Sequence, residues 1–330
     1  MRYYFAPMEG VTGYLFRQIH HELFPGMDRY YMPFIAPHQN GSIKNKEKTD
    51  CDPANNASLE AVPQILSNDA ASFLIAARML YDLGYRRIDL NLGCPSPTVV
   101  TKHKGAGFLE DPGRLGNFFE AVFDDRLFQG DSMKLSVKTR LGLHDPAEAE
   151  RLFEVYDRFP LDEIIVHART KDQFYRGEAD RESFRKIVSR THHSLCYNGN
   201  LYTVKHVEDL VQESPVGAVM IGRGLLRNPA LVRECQGGEP LKLDELQEFH
   251  NRLYTAYRET LSGPAHLLGH MKELWIYWET ILTEGSCRSI KKVRKARTVE
   301  EYECAAAGVF AGAELMPTSA CPRTTDKICL

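Results

Sequence analysis

Eight short apolar segments, separated mostly by longer amphipathic ones, constrain this chain more than any other feature. The apolar segments are Tyr3–Ala6, Tyr30–Ile35, Val62–Ile65, Arg87–Asn91, Leu135–Lys138, Glu163–His167, Leu195–Asn198 and Ala218–Gly222. Between most of them run helix-like stretches such as Ala70–Leu83, Pro112–Phe123, Ala147–Tyr156 and Thr203–Val211. A strand, a helix and a further strand make a parallel crossover, and eight such units in about 235 residues are expected to close on themselves. The predicted fold class is α/β, a (β/α)8 TIM barrel. An open doubly wound sheet is the structural alternative and fits the number of units less well.

The texture changes after Asn228-Pro229. Gly237-Gly238-Glu239-Pro240 has the composition of a linker. Beyond it the strand signal vanishes, and helical periodicity runs through His250–Leu261, Ala265–Leu282 and Ser289–Ala307. The expected division is a catalytic barrel over 1–237, a smaller all-helical C-terminal domain over 238–316 and a disordered tail over 317–330.

Composition excludes several classes. With 43% hydrophobic and 26% charged residues in 330, the chain has the make-up of a globular enzyme. A net charge of -3 gives no global signal for nucleic acid, so such a partner must be met by local basic patches. The eight cysteines form no CxxC pair, and HExxH is absent, so no metal site is expected. No signal-like stretch follows Met1, and no apolar run approaches the roughly 18 residues of a membrane span. The expectation is a cytoplasmic protein with reduced thiols, and a monomer is the simplest assembly.

The chemically unusual residues gather at the C-terminal ends of the predicted strands, the face where barrels carry their active sites. Pro7 and Met8 close the first strand, and Gln64 lies on the third. Asn91 and Cys94 close the fourth, Lys138 the fifth, and His167 with Arg169 the sixth. Asn198-Gly199-Asn200 ends the seventh and Gly222-Arg223-Gly224 the eighth. Any one of these motifs could be a structural turn. Glycines after the last two strands let the backbone approach a phosphate, and Arg223 can add a charged hydrogen bond. Lys138 could steady negative charge on a reduced flavin ring, or simply reach toward the barrel mouth. Gln64 offers both donor and acceptor to a ring edge, and His167 could meet cofactor or substrate.

Cys94 stands in a Gly-Cys-Pro turn, unlike Cys196 within a strand. A free thiol is mostly protonated at neutral pH and can serve as an acid. It could equally be a nucleophile, although no Cys-His-Asn arrangement is readable. Downstream, Lys102 and Lys104 lie in a basic, glycine-rich stretch expected to form a mobile loop, either solvated or a lid. In the helical region Arg288, Lys291, Lys292, Arg294, Lys295 and Arg297 form a cluster without an intervening acid. Alone it is a solvated helix face; beside a basic barrel mouth it suggests a phosphate-backbone track.

APMEGVTGYLFR, DLNLGCPSPTVV, GAGFLEDP, VKTRLG, VHARTKDQFYRG, YNGNLYT and VMIGRGLLRNP together resemble the bacterial tRNA-dihydrouridine synthases. HLLGHMKELWIYW is similar, more weakly, to that family's tRNA-binding helices. The resemblance implies reduction of the C5–C6 double bond of particular uridines in tRNA, with FMN as hydride carrier and NADPH as electron donor. It implies FMN contacts from Pro7, Met8, Gln64, Lys138, His167, Asn198, Gly199, Asn200, Gly222 and Arg223. It makes Cys94 the proton donor to uracil C5, with hydride arriving at C6. Asn91, Lys102, Lys104 and Arg169 are the residues expected to meet the RNA. Many members carry lysine directly after Cys-Pro-Ser where this chain has Pro97, which leaves Lys102 or Lys104 as substitutes, or a different preferred uridine. An FMN-dependent barrel reductase of a free pyrimidine or other small enone shares the flavin residues but leaves the helical region unexplained. A non-catalytic RNA binder leaves the acid unexplained, and a phosphate-binding barrel without flavin leaves Cys94 unused.

Overall fold

The computed structural model describes residues 1–130, 132–283 and 287–317. All but the first residue of the expected tail lies outside the described residues. Nine parallel strands make one sheet: β1 (Arg2–Phe5), β2 (Arg29–Tyr31), β3 (Ala61–Val62), β4 (Gln64–Ile65), β5 (Arg87–Leu92), β6 (Lys134–Gly142), β7 (Glu163–Thr170), β8 (Leu195–Asn198) and β9 (Ala218–Ile221). Their order is β3-β2-β1-β9-β8-β7-β6-β5-β4. The two ends of that order are one piece of chain. Only Pro63, which has no N–H to give a ladder, divides β3 from β4, and its carbonyl still accepts the Asp89 N–H at 2.9 Å. The ring therefore closes through 61–65, and the eight expected strands form a TIM-type barrel.

Side chains alternate along the strands, so a strand can feed a core on each side of the sheet. Tyr4, Ala6, Tyr31, Val62, Ile165, Cys196, Ala218 and Met220, on or directly after β1, β2, β3, β7, β8 and β9, form a small apolar cluster in the lumen. A far larger cluster lies between strands and helices and runs on without a break into the C-terminal helices. At the strands' N-terminal ends the buried Glu163 takes hydrogen bonds from Arg2 (2.9 Å), Arg29 (3.0 Å) and the Tyr4 hydroxyl (3.1 Å). That end of the lumen is thus closed by a satisfied carboxylate, which leaves the opposite rim for chemistry.

The helical region comprises Leu243–Thr260, Pro264–Trp278, Cys287–Lys295 and Val299–Phe310. The single helix expected over Ser289–Ala307 is two. Thr298 accepts the Glu301 N–H, and the Glu301 carboxylate takes the Arg297 N–H, so a new helix is capped where one was expected to continue. Phe249 packs edge-on against Phe16 and Phe24 of the barrel's first crossover. The glycine-proline linker is pinned: Arg233 donates to the carbonyls of Glu239 and Pro240 and pairs with Glu245. Among the described residues no helix is long and apolar enough to cross a membrane.

Candidate functional site

Two adjoining cavities, of about 200 and 60 Å³, open at the C-terminal rim of the strands. Pro7, Met8, Lys138, His167, Tyr175 and Arg223 line both, so they form one groove. Gln64, Asn91 and Cys94 lie at one end; Asn198, Gly199 and Gly222 lie at the other. The structure thus brings together residues from seven strand ends spread over more than two hundred positions.

The turn that carries the thiol is held from three sides. The Asn91 side-chain oxygen accepts the N–H groups of Gly93 (3.1 Å) and Cys94 (2.9 Å), fixing the turn after β5. Arg140 donates from Nε to the Gly93 carbonyl at 2.7 Å. From below, the Ala106 N–H binds the Cys94 carbonyl at 3.0 Å. Gly105 there has φ +55°, and a Cβ on it would stand 2.9 Å from that same carbonyl. Of the stretch expected to be a mobile loop, Thr101 to His103 form an exposed turn, whereas Gly105 to Leu109 are buried and make a packed floor. Its glycines serve close approach rather than movement. Cys94 is half-buried, and burial pushes its thiol above the ordinary 9.0, with Arg140 pulling weakly the other way.

Asn91 continues a polar chain into the barrel. Its amide donates to Gln64 Oε1 (2.7 Å), and Gln64 Nε2 donates to Asp89 (2.6 Å). Ser136 donates to the other Asp89 oxygen at 2.7 Å. Asp89 lies with no exposed surface, and burial raises its pKa to about 7. These contacts fix which way the Gln64 amide faces.

The middle of the groove is cationic. Lys138 donates to Asn198 Oδ1 at 3.1 Å, while Asn198 donates to the Met220 carbonyl. Part of the Lys138 side chain is open to the groove, but its ammonium is desolvated by the walls, and its pKa falls to about 8. Burial and the neighbouring cations keep His167 neutral. Its Nε2 faces the Arg169 guanidinium at 3.1 Å and must accept, so the proton sits on Nδ1, which has no partner among the described residues. Arg223 lies 4.9 Å from the Tyr175 ring centre and donates to Asn200. Among the described residues Lys138, Arg140, Arg169 and Arg223 make no salt bridge. Lys138, Arg140 and Arg223, the three of these that line the groove, ask for an anion there. At the far end Gly199 has no room for a side chain, since a Cβ would meet the Tyr197 hydroxyl at 2.5 Å. A phosphate at that end and an electron-rich ring over Lys138 suit this donor set.

Four expected residues lie elsewhere. Arg169 is fully buried behind the groove, where it donates to the carbonyls of Arg176 and Gly177, so it shapes the loop after β7 rather than facing a substrate. Asn200 supports Arg223 from outside the groove. Lys102 and Lys104 sit on the outer side of the turn that follows Cys94 and line neither cavity. Conversely, Glu9, Phe34, Arg140, Tyr175, Glu273 and Tyr277 line the groove and had no assigned role. Arg140 holds the Phe174 carbonyl at 2.9 Å while Phe174 takes φ +51°, a loop geometry that no local pattern announces. Glu273 and Tyr277 are four apart on one helix face, a spacing visible in the sequence, but the face they meet is set by docking of the helical region.

A family model described as Dihydrouridine synthase (Dus) matches residues 4–302. A probable tRNA-dihydrouridine synthase of Rickettsia bellii is 27% identical over 230 residues, covering 69% of this chain and 68% of that protein. The tRNA-dihydrouridine(16) synthase of Escherichia coli (strain K12) is 31% identical over 255 residues, covering 73% and 77%. Among solved structures, morphinone reductase superposes with a TM-score of 0.50 at 12% identity, covering 74% of this chain and 87% of that one. That last likeness concerns the fold alone.

Proposed function

The chain belongs to the dihydrouridine synthase family, and from that premise we propose that it reduces the C5–C6 double bond of particular uridines in tRNA, with FMN and NADPH, and with the Cys94 thiol as the acid. When bound, FMN supplies the hydride that uracil C6 receives. Lys138, His167 and Gln64 would hold its ring, with Pro7 and Met8 against it. Asn198, Gly199, Gly222 and Arg223 would hold its phosphate, and Asn200 would steady Arg223.

The remaining work belongs to side chains. Cys94 keeps its proton through neutrality because burial disfavours the thiolate, and Sγ then gives that proton to C5. The thiolate left behind takes a proton from solvent. Asn91 and Arg140 keep the turn in place, so the acid is already positioned when the base arrives. Pro33 and Phe34 add apolar surface to the lining of the same groove, which disfavours water there.

The helical region brings Glu273 and Tyr277 to the same groove and carries the exposed Lys291, Lys292 and Lys295. This supports a polymeric RNA substrate over a free pyrimidine, because a small ligand needs no basic surface outside the cavity. The target uridine leaves its stack to enter. Residues 1–237 act as the catalytic barrel and 238–316 as the tRNA-gripping unit, in a cytoplasmic monomer. Lys102 and Lys104 meet the RNA backbone.

One observation carries the reading: a thiol kept protonated by burial shares a groove with three cations, Lys138, Arg140 and Arg223, that lack a carboxylate partner among the described residues. Protein purified with added FMN should be yellow and retain a flavin absorbance spectrum after gel filtration. A colourless protein that fails to take up FMN would overturn it.

A further inference from the structure

A cavity of about 290 Å³ adjoins the Cys94 groove on the other side of Glu9 and Phe34, which line both. We propose that this second cavity takes a base of the RNA itself, from a nucleotide next to the uridine being reduced. The inference rests on the tRNA reading above.

The cavity is walled by Leu15, Met32 and Ile35 on the barrel and by Tyr257, Leu261 and His270 on the helical region. These walls are apolar and aromatic, with the Tyr257 and His270 rings 5.2 Å apart. Such surfaces accept the flat face of any base, and the volume is close to the roughly 300 Å³ at which ligand pockets begin. Two of its acids are engaged: Asp50 pairs with Arg17 and takes the Tyr14 N–H, and Glu47 takes the Lys44 N–H. The third, Glu9 on the shared wall, is pushed toward its neutral form by burial. Lys46 is exposed at the opening and has no salt bridge among the described residues. It lies near enough to Glu9 and His270, which line the same cavity, to influence the ionisation of both. A phosphate beside a base held in the cavity would meet it there.

The location is what a flipped uridine requires. Extruding one base strips the neighbouring base of its stacking partner. A cavity sharing a wall with the catalytic groove can cover that exposed face, and the same base would fix how the strand enters. Because the walls come from both regions, their docking would set which RNA geometry fits.

The test uses two exposed positions outside the Cys94 groove. Thr260→Trp places a ring in the cavity, and Lys46→Ala removes the cation at its mouth. Affinity for fluorescently labelled, unmodified tRNA is measured by anisotropy, alongside the rate at which NADPH bleaches the flavin band. Thr260→Trp should weaken tRNA binding about tenfold. Lys46→Ala should weaken it several-fold and lower the salt slope by roughly 0.7–0.9. Neither should slow flavin reduction. Unchanged tRNA affinity in both variants would overturn the inference, as would slower reduction by NADPH, which would assign the cavity to the nicotinamide. If Thr260→Trp fails to fold, Lys46→Ala alone decides. Wild-type protein that binds no tRNA would remove the underlying reading along with the inference.

Discussion

The side-chain oxygen of Asn91 accepts the Cys94 N–H at 2.9 Å, so a residue of β5 governs where the thiol stands. The same amide donates to Gln64, which ties the Cys94 turn to the inner wall of the groove. Asn91→Ala should therefore leave folding intact and lower turnover of tRNA about 100-fold, the scale of loss seen when a reacting group is misplaced. Single-turnover kinetics on the pre-reduced protein would measure it. A variant with wild-type rates would mean that the turn needs no such anchor.

Asp89→Asn addresses the next link. Both Asp89 oxygens accept hydrogen bonds, from Gln64 and Ser136, and an amide would set a donor against one of these donors. The Asp89 pKa is raised by burial to about 7 from 3.8. A raised folded-state pKa stabilises fully below the unfolded value and is lost as pH rises through the folded one. Thermal stability of the flavin-free protein should thus decline between about pH 4 and 7, by at most about 1.4 kcal/mol per pH unit from this group. Calorimetry across that window should show the decline flattened in Asp89→Asn.

Much of this arrangement is legible in the amino-acid sequence. The alternation of segments gave the barrel, and strand-end motifs placed Cys94, Lys138, His167 and Arg223 on one rim, because parallel crossovers put all C-terminal ends on one face. Arg169 shows where that logic stops. It ends a strand like the others, yet β7 runs on to Thr170, and Arg169 turns away from the groove onto the carbonyls of 176–177. Glycine content suggested movement at 105–107, whereas those glycines permit contact with the Cys94 turn. Tyr175, Glu273 and Tyr277 depend on loop curvature and helix docking, which no short-range pattern contains.

Lys138→Met isolates the groove's central cation. Desolvation lowers the Lys138 pKa to about 8, and a depressed lysine weakens the flavin-free fold as pH falls through that value. The variant should melt at the same temperature as wild type or higher near pH 7, yet bind FMN at least tenfold more weakly. Fluorescence titration with FMN and a thermal melt would check both halves. Lost stability together with unchanged FMN affinity would contradict the assignment.

Lys291, Lys292 and Lys295 are exposed on one helix, while neighbouring Arg294 pairs with Glu279. Replacing the three lysines by Ala should weaken tRNA binding and reduce the slope of log affinity against log salt by about 2 to 3. Binding measured from low to physiological salt would show it. FMN retention should not change, since these residues line neither part of the groove.

The most direct measurement is incubation of wild-type protein and Cys94→Ala with FMN, NADPH and unmodified tRNA, followed by quantification of dihydrouridine in the digested RNA. Wild-type protein should form dihydrouridine. Cys94→Ala should bind FMN as tightly and be reduced by NADPH as fast, while forming product at least 100-fold more slowly. Product at the wild-type rate from Cys94→Ala would contradict proton donation by that thiol, and no product from either protein would contradict the reaction itself.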